Sequence, residues 1–258
     1  MHVPKQQPSH IDIFLVQPHY LTAKVLNDFK QLISPQEQET IDRKRTDDAK
    51  RDALVTRGLV RTVLSRYSDI SPNQWQFDKG WNGKPFIANS DESKSAESLE
   101  FNLSHAHHLI ALAVTRGKVI GIDVEYTKRK SDTKKLAPRY FSASEVEALQ
   151  ALPPQEQQAG FYDYWTLKES YIKACGDGLS VPLHLFSFDI QDRDNISLTF
   201  DEKRKDNSER WHNKLFTVNE QHKMAITIKS PPSKQVNVAI HQLTSNGEFE
   251  PCELPLEV

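Results

Sequence analysis

Two cysteines, Cys175 and Cys252, are all that the 258-residue chain contains. They supply neither the paired ligand spacing of a zinc site nor the disulfide framework of a small secreted protein. Long hydrophobic runs are absent as well, because the longest, residues 109–114, is far too short to cross a bilayer. The sequence therefore predicts a chain without a membrane span and without a cysteine-based metal cluster.

A strong net charge is also missing. The chain has 33 Lys and Arg against 35 Asp and Glu, a formal net charge of −2 at pH 7, which does not indicate a nucleic-acid partner. Residues 1–10 are polar and lack the apolar core of a secretory signal peptide. We expect a cytoplasmic, monomeric protein with no membrane partner. Its length allows one large domain or two closely packed halves.

One predicted helix ends in a stretch rich in charged side chains, residues 165–179. Pro153 and Pro154 suit the first helical position, and Gly176 and Gly178 suit the left-handed conformation just beyond a helix end. These signals predict a helix that begins at the proline pair and stops at Gly176.

Charged side chains share one face of this helix. Trp165, Glu169 and Lys173 follow one another at intervals of four residues, so they lie on the same side, and Lys168 lies close to it. An exposed Glu–Lys pair of this kind contributes only about 0.2–0.5 kcal/mol to a helix. Either the pair is an ordinary surface contact, or it brings a carboxylate and up to two ammonium groups to a functional site.

A second stretch, residues 118–126, alternates with the period of a β-strand. Gly121, Asp123 and Glu125 face one side. Adjacent carboxylates repel each other unless a cation compensates them. With a third carboxylate they would form an oxygen site suited to Mg²⁺, although such a pair also occurs on solvated strand faces. Gly121 would leave room for a ligand to approach the backbone.

Taken together, these stretches resemble the two signature motifs of a known family. Residues 120–125 and 165–173 are similar to the motifs of the 4′-phosphopantetheinyl transferases, and in particular to the larger, surfactin-synthetase-activating (Sfp-type) group. The resemblance extends over roughly residues 11–228. Three shorter segments also fit it, namely residues 83–85, 102–105 and 141–145.

The resemblance implies an α+β fold of two similar α/β halves related by a pseudo-twofold axis. Residues 1–117 would form the N-terminal half, on the coenzyme A side. Residues 118–258 would form the C-terminal half, with the metal strand, the signature helix and a closing sheet.

The resemblance also implies an activity. The enzyme would transfer the 4′-phosphopantetheine group from coenzyme A to a serine of an apo carrier protein, with Mg²⁺ as cofactor, and release adenosine 3′,5′-bisphosphate. Asp123, Glu125 and Glu169 would hold the metal. Glu169 is a candidate catalytic base, with Glu145 and a metal-bound water as alternatives, and Lys173 would act on the leaving phosphate.

Contacts to coenzyme A are implied in the same way. The family pattern places Lys84, Ser104 and His105 at the coenzyme, together with Lys168 and Lys173. Arg51, near the start of a predicted helix, is our candidate for a phosphate contact, although a solvated helix face would also carry such a residue. Lys84 follows a turn, where lysines are usually just exposed. We expect the neighbouring His107 and His108 to be ordinary loop residues.

Positive charge is concentrated between Lys128 and Arg139. The stretch has six basic residues and a single acid, Asp132. It is either a solvated loop and helix start or a docking surface for an acidic partner, and the resemblance implies an acidic carrier protein. The basic residues are Lys128, Arg129, Lys130, Lys134, Lys135 and Arg139.

Two other classes of function stay open at this stage. One is a Mg²⁺-dependent phosphohydrolase of a nucleotide or of coenzyme A, with water as the acceptor. The other is a carrier-binding module without catalysis. The acidic residues and Lys173 favour an enzyme, whereas the sequence does not identify the carrier, which could serve fatty-acid, polyketide or nonribosomal-peptide synthesis.

Overall fold

The computed structural model describes residues 9–89, 99–178, 181–204, 206–232 and 235–256. Its first half runs from a strand through three helices to a small hairpin and then two long strands. These elements are β1 (Ser9–Val16), α1 (Ala23–Leu32), α2 (Pro35–Asp42), α3 (Asp47–Leu64), β2 (Phe77–Lys79), β3 (Pro85–Ile87), β4 (Leu99–Ala106) and β5 (Leu109–Arg116).

The second half repeats this order. It consists of β6 (Ile120–Tyr126), α4 (Thr133–Tyr140), α5 (Ala143–Ala151), α6 (Gln157–Cys175), β7 (Phe186–Ile190), β8 (Ile196–Phe200), β9 (Trp211–Asn219) and β10 (His222–Lys229). Strand pairing repeats as well, because β1-β5-β4 in one sheet corresponds to β6-β10-β9 in the other, with antiparallel neighbours. The predicted α+β fold with two similar halves is confirmed.

The chain then adds two strands, β11 (Val236–Leu243) and β12 (Phe249–Pro251), to the first half. β11 pairs in parallel with β1, which gives a five-stranded sheet of order β12-β11-β1-β5-β4. The domain boundary after residue 117 stays a prediction; Gly117, with φ 61°, lies in the turn between β5 and β6. However, β11 and β12 belong to the sheet of the first half, because β11 pairs with β1 and β12 pairs with β11.

The described elements stack as helices, sheet, sheet and helices. The outer faces of the two sheets are covered by α1 and α3 on one side and by α4, α5 and α6 on the other. Between the sheets lies an aliphatic core to which alternate residues of β1 and β6 contribute, among them Ile11, Ile13, Ile120 and Ile122. This period-two alternation leaves the opposite face of β6 free to carry polar groups toward α6.

Local signals explain most helix ends. Ser34 and Thr46 cap α2 and α3, and Gly176, with φ 72°, ends α6. The predicted start of α6 at the proline pair was wrong. The chain makes a turn there, in which the N–H of Glu156 donates to the carbonyl of Pro153 at 2.8 Å, and α6 begins at Gln157. In the parts of the chain that the structure describes, no helix is long and apolar enough to span a membrane.

Candidate active site

Three elements meet at the predicted site, namely β4, β6 and α6. Close approach of α6 to β6 depends on Gly121, since a Cβ atom there would clash with the backbone of Ser170 and Ala174. The hypothesis that Gly121 leaves room for a ligand was therefore wrong, because the helix backbone fills that space. The consequence is that Glu169 and Lys173 of α6 lie close to the carboxylates of β6.

The edge of β4 is fixed against β6 by side chains. Asn102 accepts a hydrogen bond from the N–H of Ile122 at 2.9 Å, and Ser104 accepts one from the N–H of Val124 at 3.2 Å. These contacts join the two halves where their sheets meet. Sequence reasoning gave Asn102 no role of its own within the segment 102–105. Polar side chains at two positions with strand spacing, Asn102 and Ser104, do indicate a shared face.

Asp123 lies at the centre of this meeting point. The Lys173 ammonium is 2.6 Å from Asp123 Oδ1 and donates to Ser104 Oγ at 2.8 Å. The Ser104 hydroxyl in turn donates to the same carboxylate oxygen at 2.9 Å. Burial raises the pKa of Asp123, and the Lys173 charge opposes that rise. Asp123, Ser104 and Lys173 thus form one compact polar cluster.

The two glutamates of the predicted metal site adjoin this cluster. Trp165 Nε1 donates to Glu125 Oε1 at 3.1 Å, which holds the carboxylate toward α6. Burial, followed by the charge of Asp123, raises the pKa of Glu125 to about 7 and that of Glu169 to about 7. Burial is the main cause of the raised pKa values, and repulsion among the three carboxylates adds to it.

These carboxylates have the chemistry of a site for a hard cation. Asp123 Oδ2 and Glu169 Oε1 are buried, and neither has a hydrogen-bond partner among the described residues. A divalent cation with oxygen ligands would satisfy both atoms and relieve the repulsion. Within the same described ranges, no three His, Cys, Asp or Glu side chains are arranged to hold a metal ion. The Lys173 ammonium is the charged group that contacts Asp123 Oδ1.

A cavity of about 410 Å³ opens beside the cluster. It lies between the β2–β3 turn, β4 and the C-terminal end of α6, and Glu169 and Lys173 form one of its walls. Pro85, Leu103 and Ile172 give it apolar surface, and Asn82 and Gly176 line it further along. A cavity of this size is within the range that accommodates a cofactor-sized ligand.

Lys84 lines the same cavity, but its ammonium is engaged. It donates to the carbonyls of Ala174 at 3.0 Å and Ile120 at 3.2 Å, and burial lowers its pKa. A cation at the last carbonyls of α6 complements the helix dipole. Asn82 fixes the same helix end by donating to the carbonyl of Gly176 at 2.9 Å. The contact between Lys84 and coenzyme A stays a prediction.

Ser104 and His105 are neighbours on β4 and therefore point to opposite faces. Ser104 points to Asp123, whereas His105 is exposed and lies near Asp52 of α3, where its charge opposes a rise in the pKa of Asp52 that is caused by burial. Arg51, half-buried on α3, belongs to the same neighbourhood. Coenzyme A contacts by Arg51 and His105 stay predictions.

Lys168 does not fit the predicted contact with coenzyme A. Its side chain and that of Glu145 are both 0% exposed and form an ion pair at 2.8 Å. The ammonium also donates to the carbonyls of Leu183 at 2.8 Å and Phe186 at 2.7 Å. Lys168 points into the protein rather than into the cavity that Glu169 and Lys173 line, so it joins α6 to α5 and β7 instead.

Glu145 does not fit the alternative role of base either. One carboxylate oxygen accepts hydrogen bonds from the Ser142 backbone at 2.9 Å and hydroxyl at 3.0 Å, and the other accepts from the N–H of Phe188 at 2.9 Å. A carboxylate that is buried and fully occupied cannot take a proton from a substrate. Of the two glutamates, Glu169 therefore remains the candidate for the catalytic base.

Comparisons with known proteins show the family to which this chain belongs. Residues 119–227 match the family model described as the 4′-phosphopantetheinyl transferase superfamily, and residues 22–117 match the one described as 4′-phosphopantetheinyl transferase, N-terminal. The chain is 33% identical over 204 residues to 4′-phosphopantetheinyl transferase Sfp of Bacillus subtilis (strain 168), covering 79% of this chain and 85% of that one.

Two further relatives are similar over shorter lengths. A 4′-phosphopantetheinyl transferase of Bacillus subtilis is 34% identical over 185 residues, or 72% of this chain and 76% of the relative. 4′-Phosphopantetheinyl transferase HetI of Nostoc sp. (strain PCC 7120 / SAG 25.82 / UTEX 2576) is 38% identical over 156 residues, or 60% of this chain and 64% of the relative. The chain belongs to the 4′-phosphopantetheinyl transferase superfamily, in its Sfp-type group, and is a transferase.

Proposed function

We propose that this protein transfers 4′-phosphopantetheine from coenzyme A to a serine of an apo carrier protein, in a Mg²⁺-dependent reaction that releases adenosine 3′,5′-bisphosphate. The observation that carries the proposal is the contact of Lys173 with Asp123 at the wall of a cavity, beside two buried carboxylate oxygens that have no hydrogen-bond partner in the described part of the chain. Family membership supports the substrate class.

The reaction is a phosphoryl-type transfer. The carrier serine Oγ attacks the phosphorus that bears pantetheine, and the bond from that phosphorus to the bridging oxygen of the pyrophosphate breaks, so that the bisphosphate leaves with the electron pair. Glu169 takes the serine proton as the general base. Lys173, one turn further along α6, meets the negative charge that develops on the leaving phosphate.

A divalent cation would be held by Asp123, Glu125 and Glu169. When bound it neutralises the pyrophosphate charge and restricts the geometry of the displacement. Trp165 orients Glu125 for this role through its indole hydrogen bond. The cavity beside Glu169 and Lys173 would take the nucleotide end of coenzyme A, with Lys84 in its wall.

The carrier protein would dock on the basic stretch that follows β6. All six basic side chains between Lys128 and Arg139 are exposed. The stretch begins two residues after Tyr126, the last residue of the metal strand, so a partner bound there would lie beside the active site. Carrier proteins are acidic, which makes the charges complementary.

One incubation tests the reaction. The protein is mixed with coenzyme A, Mg²⁺ and an apo carrier protein, with parallel samples that contain EDTA or a carrier whose acceptor serine is alanine. We expect the mass of the carrier to increase by one phosphopantetheine only with Mg²⁺ and the intact serine. Release of the bisphosphate with an unmodified carrier would indicate a phosphohydrolase, and carrier binding without either product would indicate a binding module.

A further inference from the structure

Lys173 and the predicted metal ion would act on the same carboxylate. We propose that Lys173 compensates Asp123 in the ligand-free enzyme, that metal binding displaces Lys173 toward the substrate phosphates, and that metal and coenzyme A therefore increase each other's affinity. This inference rests on the proposed function and concerns the regulation of that same site.

Lys173 directly contacts the carboxylate that the metal would bind. The ammonium of Lys173 is 2.6 Å from Asp123 Oδ1, while Oδ2 of the same carboxylate has no hydrogen-bond partner among the described residues. Asp123 is buried, so water cannot replace this compensation. The ammonium is thus the cation that contacts this buried carboxylate.

Lys173 and a divalent cation would compete for the same carboxylate. A divalent cation bound to Asp123 Oδ2 and Glu169 Oε1 would lie within a few ångströms of the ammonium, and the two cations would repel each other in a poorly solvated site. The free protein therefore binds the metal more weakly than three carboxylates alone would. Ser104 strengthens the competition, because its hydroxyl accepts from Lys173 and donates to Asp123, and so holds the ammonium in place.

The cavity offers the displaced Lys173 ammonium an alternative position. The Lys173 side chain is 29% exposed and lines the cavity, whereas Asp123 is nearly inaccessible. Its long, flexible stem allows the ammonium to leave Asp123 for the cavity without movement of the helix. Phosphates of coenzyme A in the cavity would favour that position. By linkage, the factor by which coenzyme A tightens metal binding equals the factor by which metal tightens coenzyme A binding.

Calorimetric titration tests the competition without relying on turnover. Mg²⁺ is titrated into the wild type and into Lys173→Met, with and without saturating coenzyme A, in the absence of carrier protein. The titrations are run at pH 8, above the pKa of about 7 of Glu125 and Glu169. Lys214→Met is the matched control, because Lys214 pairs with Asp194 at 2.9 Å outside the cluster.

For the wild type we expect coenzyme A to lower the Mg²⁺ dissociation constant about tenfold or more, within the usual range of coupling between sites. For Lys173→Met without coenzyme A we expect a dissociation constant about tenfold lower than that of the wild type, and a smaller effect of coenzyme A. Ser104→Ala removes one anchor of the ammonium and should tighten Mg²⁺ binding by a smaller factor. Ser104→Ala also tests the displacement model if Lys173→Met fails to fold. The control should match the wild type.

Equal or weaker Mg²⁺ binding by the Lys173 variant, or by Ser104→Ala if that variant alone folds, would overturn the displacement model. If transfer still requires Mg²⁺ in that case, the proposed function stands and only this inference fails. Transfer that continues in EDTA, or unchanged Mg²⁺ binding by the Asp123→Asn variant, would rule out the proposed metal site. Both proposals would then fail.

Discussion

At the scale of single residues, the site depends on how a buried carboxylate is compensated. Asp123 is buried between β4 and α6, and the groups that stabilise its charge are Lys173, the Ser104 hydroxyl and the Val124 N–H. Position along β6 alone cannot provide this environment. The sequence predicted the facing carboxylates, whereas the direct ion pair with Lys173 follows from the close packing of α6.

Asp123→Ala should abolish transfer and leave the fold intact. Removal of one of three crowded carboxylates relieves repulsion with Glu125 and Glu169, and the released Lys173 is exposed enough to be solvated. Carrier modification is followed by mass spectrometry, and folding by thermal unfolding. Turnover near that of the wild type at saturating Mg²⁺ would exclude this carboxylate from the metal site.

The buried pair of Lys168 and Glu145 should matter for stability. Lys168→Met leaves Glu145 buried without its cation, which typically costs about 3–5 kcal/mol. The free energy of unfolding in urea measures this cost. Lys135→Met is the matched control, because its pair with Asp132 is exposed to solvent and contributes little to stability. Equal losses in the two variants would contradict a buried, fully paired Lys168.

At the scale of the elements, short-range signals were predictable and long-range contacts were not. Caps such as Ser34 and Thr46 act within three residues of themselves, so the sequence contains all that is needed. The direction of Lys168 could not be read from α6, because most of that helix is buried and its periodicity does not separate a core face from a site face. The partners of Lys168 come from α5 and from the chain around β7.

The same limit applies to the sheets. Nothing local to residues 236–243 shows that this strand, β11, pairs in parallel with β1. Nor could the sequence show that Gly121 serves helix packing rather than ligand access, since the answer depends on where α6 lies. Polar groups whose function requires a tertiary partner are therefore where sequence reasoning was least complete.

Gly121→Ala should disrupt the site by moving α6 away from β6. The added methyl group would clash with backbone atoms of Ser170 and Ala174, which cannot rotate aside. We expect a loss of both stability and transfer, measured by urea unfolding and by carrier modification. Gly80→Ala is the control, because its added Cβ would approach the carbonyl oxygen of Lys84 no closer than 3.6 Å. A Gly121→Ala protein as active and stable as the control would disprove this packing role.

At the scale of the whole molecule, the carboxylate cluster couples folding to pH. Glu125 and Glu169 have a pKa of about 7 in the folded protein against 4.5 for the ordinary side chain, so between these values the folded state binds more protons than the unfolded state. Stability contributed by the two groups must therefore fall as pH rises from about 4.5 to 7 and level off above it.

The double variant Glu125→Gln/Glu169→Gln isolates this contribution. The unfolding free energy of the wild type minus that of the variant, from urea titrations between pH 5 and pH 8, should decrease toward pH 7. Added Mg²⁺ should stabilise the wild type at pH 8 and have little effect at pH 5, because protons compete with the cation. A difference that is constant over this range would show that the two glutamates are not perturbed.

Charge distribution is the other property of the whole molecule, since a chain with net charge −2 concentrates six exposed basic residues between Lys128 and Arg139. Reversal of Lys134 and Lys135 to glutamate should raise the Michaelis constant for the carrier protein, because charges at the rim of an interface act mainly on association. Affinity for coenzyme A should be unchanged. Reversal of two exposed lysines on α1, Lys24 and Lys30, makes the same change in net charge elsewhere and is the control.

Salt dependence separates local docking from a general effect of charge. At limiting carrier, wild-type activity should fall as salt is added, since the Debye length is about 8 Å at physiological ionic strength and shortens from there. The Lys134/Lys135 variant has lost part of this attraction, so its activity should depend less on salt, whereas the Lys24/Lys30 control should follow the wild type. Equal salt slopes for all three proteins, with equal Michaelis constants for the carrier, would mean that the basic stretch is a solvated surface. A reduced slope in the Lys134/Lys135 variant alone would locate carrier docking at the basic stretch that follows the metal strand.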